Sequence, residues 1–156
     1  MTRAEGVWIW LSRVRGLGAG RARQLVEFFG GEEALLAAQE PELREAVGEA
    51  LAASLLEARR QEEINDHVRA CRRAGVRILT PASPAYPEAL RDIYDPPCAL
   101  YARGDLGLLQ GERLLTLVGT RRHTSYGRRI TEKLAAELAR AGLTIVSGLA
   151  EGLDSV

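Results

Sequence analysis

The sequence predicts an α/β protein in which an all-helical module, residues 1–75, precedes the first part of a parallel sheet, residues 76–156. Three observations carry that reading. Apolar residues recur at helical spacing through the first module. From Val76 the pattern changes to short apolar runs bounded by glycine and proline. Two of those runs, Leu114–Val118 and Leu143–Val146, flank an amphipathic segment, and each leads into a glycine-bearing loop. That is the order of a βαβ unit.

A first helix is expected over Ala4 to Val14, with Val7, Trp8, Leu11 and Val14 on one face. The Arg15-Gly16-Leu17-Gly18 link ends it, and a second helix runs from Gly20 to Phe29. Gly30-Gly31 supplies a left-handed stop. A short helix follows at Glu32 to Ala38, ended by Pro41, and the periodic stretch Glu42 to Ala74 holds one or two helices closed by Gly75. Val76–Leu79 and Cys98–Tyr101 read as short strands on either side of a proline-rich segment. Leu114–Val118 and Leu143–Val146 read as strands of the fully buried kind. Thr124 or Ser125 caps the helix between them, which runs to Ala141 and stops at Gly142.

Composition narrows the function classes. With 46% apolar and 27% charged residues, the chain is neither disordered nor repetitive. Its longest apolar runs are far below the roughly 20 residues of a membrane span, and Val7–Leu11 lacks the features of a signal peptide. Cys71 and Cys98 show no metal-site spacing and read as small core hydrophobes in a reducing, cytoplasmic setting. The 21 basic and 21 acidic residues cancel, which argues against nucleic acid until the charge is mapped. Glu27 to Glu49 holds seven acids and one arginine, whereas Arg113 to Arg140 holds seven bases and two acids. A phosphate backbone feels the local field, not the sum. Arg59 to Arg77 is also basic, but Arg59 to Arg73 reads as the solvated face of a long helix. Twenty of the 21 bases are arginine, which fits codon bias as well as phosphate recognition.

Two loops and one hairpin are candidate sites. Val118-Gly119-Thr120-Arg121, with Arg122, Tyr126 and Gly127 downstream, lies at the carboxyl end of an apolar strand, where open α/β sheets bind ligands. The spacing is neither a dinucleotide fingerprint nor a Walker loop. It leaves a phosphate loop of another type or an ordinary strand-to-helix turn with an exposed arginine. Ser147-Gly148 to Gly152 follows the next strand, and parallel pairing would set it beside Gly119. Besides Glu151 in the loop, Asp154 just past it is the candidate base, and capping the following turn is its expected work. The Gly16-Leu17-Gly18 link resembles a helix-hairpin-helix turn, making Gly16 and Gly18 secondary phosphate candidates. His67 and His123 have no catalytic partners, and no cofactor or metal is implied.

Tyr86-Pro87-x-x-Leu90, Asp95-Pro96-Pro97 with Leu100-Tyr101 and Gly104, Val118–Arg121 with Tyr126-Gly127, and Ser147–Asp154 occur in that order. Together they resemble the DprA/Smf family of DNA processing proteins over residues 76–154, with a looser likeness before that. The resemblance implies a sterile-alpha-motif-like helical domain followed by an extended Rossmann-like domain, no catalysis, and single-stranded DNA binding. It also implies protection of incoming DNA and loading of the RecA recombinase in natural transformation, by a homodimer without membrane attachment. By position, it places nucleic-acid contacts on Gly119, Thr120, Arg121, Ser147, Gly148 and Gly152, beside the candidates Arg122, Tyr126 and Gly127. The family continues with further strands past the position of Asp154, so residues 76–156 are expected to be part of a larger domain.

A competing reading is a nucleotide-binding Rossmann enzyme of the nucleoside-monophosphate phosphoribohydrolase type, which shares glycine loops and a phosphate-side arginine. Its Pro-Gly-Gly loop with a catalytic glutamate is absent from these residues. A third reading makes residues 1–75 a protein-interaction module alone.

Overall fold

Thr2 starts the first helix, α1 (Arg3–Arg13), through a capping box. Its hydroxyl accepts the Glu5 N–H at 3.1 Å, and the Glu5 carboxylate accepts the Thr2 N–H at 2.7 Å. The structure is a computed structural model that describes residues 1–111 and 113–156. They form two compact units, Met1–Leu106 and Gly107–Val156. The change from helices to α/β falls at a different place, near residue 76, because packing and secondary structure need not change together.

In the first unit α1 is followed by α2 (Ala19–Phe28), α3 (Glu32–Ala37), α4 (Glu40–Val47), α5 (Glu49–Ala58) and α6 (Gln61–Arg73). The stretch expected to hold one or two helices therefore begins earlier and holds three. Gly48, at φ +83°, ends α4 and starts α5, a turn that a side chain would oppose. The helical periodicity runs through the break because Leu43, Ala52 and Leu55 meet the same core. Pro41 does not end α3; it sits in the first turn of α4, where a missing N–H breaks no helical bond.

Trp10 is the centre of this core, with no exposed surface. Its Nε1–H donates to the Leu55 carbonyl at 2.9 Å, one of the groups a helix end leaves without an intrahelical donor. Arg59, expected on a solvated face, instead donates to the Leu36 and Ala38 carbonyls at 3.2 and 2.7 Å. It thereby satisfies the end of α3, where a cation also meets the negative end of the helix dipole. Val7, Ile9, Trp10 and Leu11 are all buried, so α1 is enclosed on more than the single face its spacing suggested.

After α6 come β1 (Arg77–Leu79), a short helix α7 (Glu88–Arg91) and β2 (Leu100–Ala102), the strands pairing antiparallel. The proline-rich segment is held to α1 by Ser83, whose hydroxyl donates to the Glu5 carboxylate at 2.9 Å. Burial pushes the Glu5 pKa up, but hydrogen bonds from Thr2 and Ser83 and the Met1 ammonium outweigh it, leaving the pKa below 4.5. A carboxyl depressed by folding contributes stability that is complete above its unfolded pKa and is lost as pH falls through the folded value. Urea unfolding across that range should show a loss for the wild-type chain that is smaller in Glu5→Gln. Equal pH dependence in the two proteins would rule the linkage out.

Cys98 is buried, and burial, with Asp95 nearby, pushes its thiol up to about 11. Cys71 departs from the core expectation: it is half-buried on α6, with Sγ 3.9 Å from His67 Nε2. His67 is not idle either, since its Nε2 meets the Tyr101 hydroxyl at 2.9 Å.

The second unit consists of β3 (Leu114–Thr116), α8 (Ser125–Arg140) and β4 (Thr144–Val146), with β3 and β4 parallel. Both strands are shorter than expected, and the expectation that they are fully buried does not hold. Leu114 is 41% exposed and Val118, just past β3, is 82% exposed. α8 packs against β4, and among the described residues no other strand is bonded to either edge. Gly152 is the one buried residue of this unit among those described.

Candidate nucleic-acid interface

The parallel register pairs Leu114 with Thr144 and Thr116 with Val146, so the chain leaves both strands at the same end. The Leu117 N–H extends the ladder to the Val146 carbonyl at 2.9 Å. The loops 118–124 and 147–152 therefore emerge side by side, as the strand order predicts. Thr124 is the cap of α8, its hydroxyl accepting the Gly127 N–H at 3.1 Å.

The loops are interlocked. The Leu153 N–H donates to the Thr120 carbonyl at 3.1 Å. The Gly119 N–H donates to Asp154 Oδ1 at 2.9 Å, and the Ser147 hydroxyl donates to the Asp154 carbonyl at 2.8 Å. Asp154 thus joins the two loops; capping of the following turn is not its observed contact. A Cβ on Gly119 would lie 2.6 Å from the Leu153 Cβ. Gly152 has φ +105°, and a Cβ there would lie 2.4 Å from the Thr120 carbonyl oxygen and 2.5 Å from the Arg121 Cα. Close packing of loop on loop requires glycine at both positions. The sequence alone does not reveal this requirement, because a glycine after a strand points equally well to a ligand.

Arg121, Arg122 and Tyr126 all stand exposed around these loops. Arg128 and Lys133 pair along α8 with Glu132 and Glu137 at 3.0 and 3.8 Å. Among the described residues, Arg121 and Arg122 have no ion-pair partner within 4.0 Å. Thr120 Oγ1 accepts the Arg122 N–H at 3.2 Å, and Gly148 lies against the Asp154 carboxylate. His123 is exposed, its Nδ1 3.3 Å from the Thr124 carbonyl. The arrangement offers two unpaired guanidinium forks, which match phosphate geometry, beside an exposed ring on which a base can stack.

In the first unit, Gly16 adopts φ +81° in the turn between α1 and α2, and Gly18 is the N-cap of α2. The Gly20 N–H in the first turn of α2 donates to the Asp95 carboxylate. The tyrosine–proline and proline-pair motifs have structural work here. Tyr86 is 2% exposed and its hydroxyl donates to the Pro97 carbonyl at 2.9 Å. Arg91 lies over the Tyr86 ring at 5.2 Å and donates to the Pro81 and Ser83 carbonyls. The tyrosine and arginine together hold the turns around the two proline segments.

Fold and loops define the class: a helical bundle followed by a mixed α/β region whose parallel strands end in paired glycine loops. The family model for DNA recombination-mediator protein A matches residues 77–156. The chain is 44% identical over 87 residues to the DNA processing protein DprA of Bacillus subtilis, covering 56% of this chain and 29% of that protein. It is 30% identical over 156 residues to the protein Smf of Synechocystis, covering 97% of this chain and 39% of the relative. The X-ray structure of DNA processing protein A from Streptococcus pneumoniae superposes with a TM-score of 0.68 at 26% identity, over 99% of this chain and 52% of that one. The chain belongs to the DNA recombination-mediator protein A (DprA/Smf) family. It spans 29% and 39% of the two curated relatives named. The resemblance carried by the four motifs and the expected fold class are both borne out.

Proposed function

We propose that this chain supplies part of a non-catalytic, single-stranded DNA-binding recombination mediator, one that protects incoming DNA and loads the RecA recombinase during natural transformation. The observation that carries the reading is the pair of unpaired, exposed arginines, Arg121 and Arg122, on interlocked loops at the common end of two parallel strands. Family membership supports the biological setting, the RecA partner, a homodimeric protein and a cytoplasmic location. No described helix is long and apolar enough to cross a membrane. The proposed contacts are Thr120, Arg121, Arg122 and Tyr126, with Gly119, Gly127, Ser147, Gly148 and Gly152 shaping the surface that carries them. Gly16 and Gly18 remain a proposed secondary contact. The match beginning at residue 77 supports treating residues 1–75 and 76–156 as separate modules.

The test is fluorescence anisotropy of labelled oligothymidylate and of a mixed-sequence strand across a salt series. Removing one phosphate-binding side chain should flatten the log–log salt dependence by about 0.7 on single strands. Arg121→Ala should lower affinity for both strands alike and flatten the slope by about that amount. Unchanged affinity and slope would remove Arg121 from the interface.

A further inference from the structure

An anion-binding turn keeps its amides open, yet the Gly119 N–H is held by a carboxylate of this same chain, Asp154 Oδ1, at 2.9 Å. The second carboxylate oxygen lies 3.2 Å from where a Cβ on Gly148 would sit, so the group is seated between the two glycine turns. Asp154 is itself fixed through its backbone, because its carbonyl accepts the Ser147 hydroxyl at 2.8 Å. Neighbouring amides are also engaged: Leu153 N–H with the Thr120 carbonyl, Arg122 N–H with Thr120 Oγ1, and Leu149 N–H with Ser147 Oγ at 3.3 Å. A phosphate oxygen and a carboxylate seek the same donors and repel one another at close range. Beside the occupied Gly119 amide, the Arg121 and Arg122 side chains stand exposed.

We infer that Asp154 is the positioning residue of these loops: its carboxylate fills the anion position at Gly119 and latches loop to loop, so that a DNA phosphate is taken by Arg121 and Arg122 and not by the Gly119 amide. The inference rests on the DNA-binding reading and gives that site its mode of contact. Binding therefore needs no rearrangement of the glycine turns.

Asp154→Asn keeps an oxygen that accepts the Gly119 N–H but removes the charge, whereas Asp154→Ala removes both. Two readouts apply: oligothymidylate affinity over a salt series, and the Gly119 amide resonance in a proton–nitrogen correlation spectrum. The asparagine variant should hold the Gly119 resonance near its wild-type position and bind at least as well as wild type. The alanine variant should shift that resonance and lose about tenfold in affinity, the usual order for losing one hydrogen bond to a charged group, with the salt slope unchanged. Tighter binding by Asp154→Ala than by Asp154→Asn, which lacks the same charge but keeps the acceptor, would show that the freed Gly119 amide is itself a phosphate donor, and the inference would fall. It would also fall if Asn lost affinity as Ala does, or if the Gly119 resonance ignored the alanine change. Absence of DNA binding by the wild-type protein would sink the functional reading alone, and the Gly119 resonance would still decide the latch.

Discussion

Gly152→Ala should be among the most damaging single-methyl changes available in this chain. The added Cβ would lie 2.4 Å from a carbonyl oxygen and 2.5 Å from an α-carbon of the facing loop, both backbone atoms. The residue would also be held at φ +105°, where an L side chain is strained. Strain and overpacking each cost on the order of 1–3 kcal/mol, so a combined loss of about 3 kcal/mol or more is expected. Urea unfolding monitored at loop resonances would measure it. Gly119→Ala provides the control, because its Cβ would meet the Leu153 side chain. Adding Leu153→Gly, which removes the Cβ that the new methyl would meet, should recover much of the Gly119→Ala loss and none of the Gly152→Ala loss. Recovery in both would mean that side-chain crowding, not backbone contact, sets the requirement at Gly152.

Trp10→Ala should unfold much of the helical bundle, at a cost of about 3–5 kcal/mol, because a large side chain with no exposed surface is removed from its centre. Trp10→Phe divides the effect. It retains an aromatic ring in the core but leaves the Leu55 carbonyl without the indole N–H that reaches it at 2.9 Å. An abandoned buried acceptor costs about 1–3 kcal/mol. Phenylalanine should therefore fall between wild type and alanine in chemical denaturation. A phenylalanine variant as stable as wild type would show that packing alone holds α1 to α5.

Much of the bundle is legible in the sequence because its signals are local. Gly30 and Gly31 adopt positive φ at the end of α2, as Gly75 and Gly142 do at the ends of α6 and α8, and such positions favour glycine whatever surrounds them. Thr124 caps α8 through its own hydroxyl within a few residues. The division of the stretch after Glu40 is harder to see, because three helices that bury one common side preserve a continuous periodicity. The short helix α7 escapes sequence reading since its four residues offer no period to detect. Strand burial fails for a different reason. An apolar run reports what a strand prefers, whereas exposure of Leu114 and Val118 depends on which elements cover them.

The candidate loops follow from the order of the elements. Apolar runs with a helix between them, each ending in glycine, imply parallel strands and adjacent loops, and the β3–β4 register has that form. The work of Asp154 does not follow. Its bond to Gly119 spans 35 positions, and nothing within reach of either residue in sequence announces it.

By itself, then, the sequence determined the α/β class, most helix ends, the order of the motifs and the placing of charge, since propensity, capping and glycine φ preferences act over one or two turns of chain. The tertiary structure alone decided that Trp10 anchors the bundle, that Gly119 and Gly152 face each other's loops, and that an internal carboxylate occupies the Gly119 amide. Those outcomes depend on distances between segments remote in sequence, which exist only after the strands have aligned and the helices have packed.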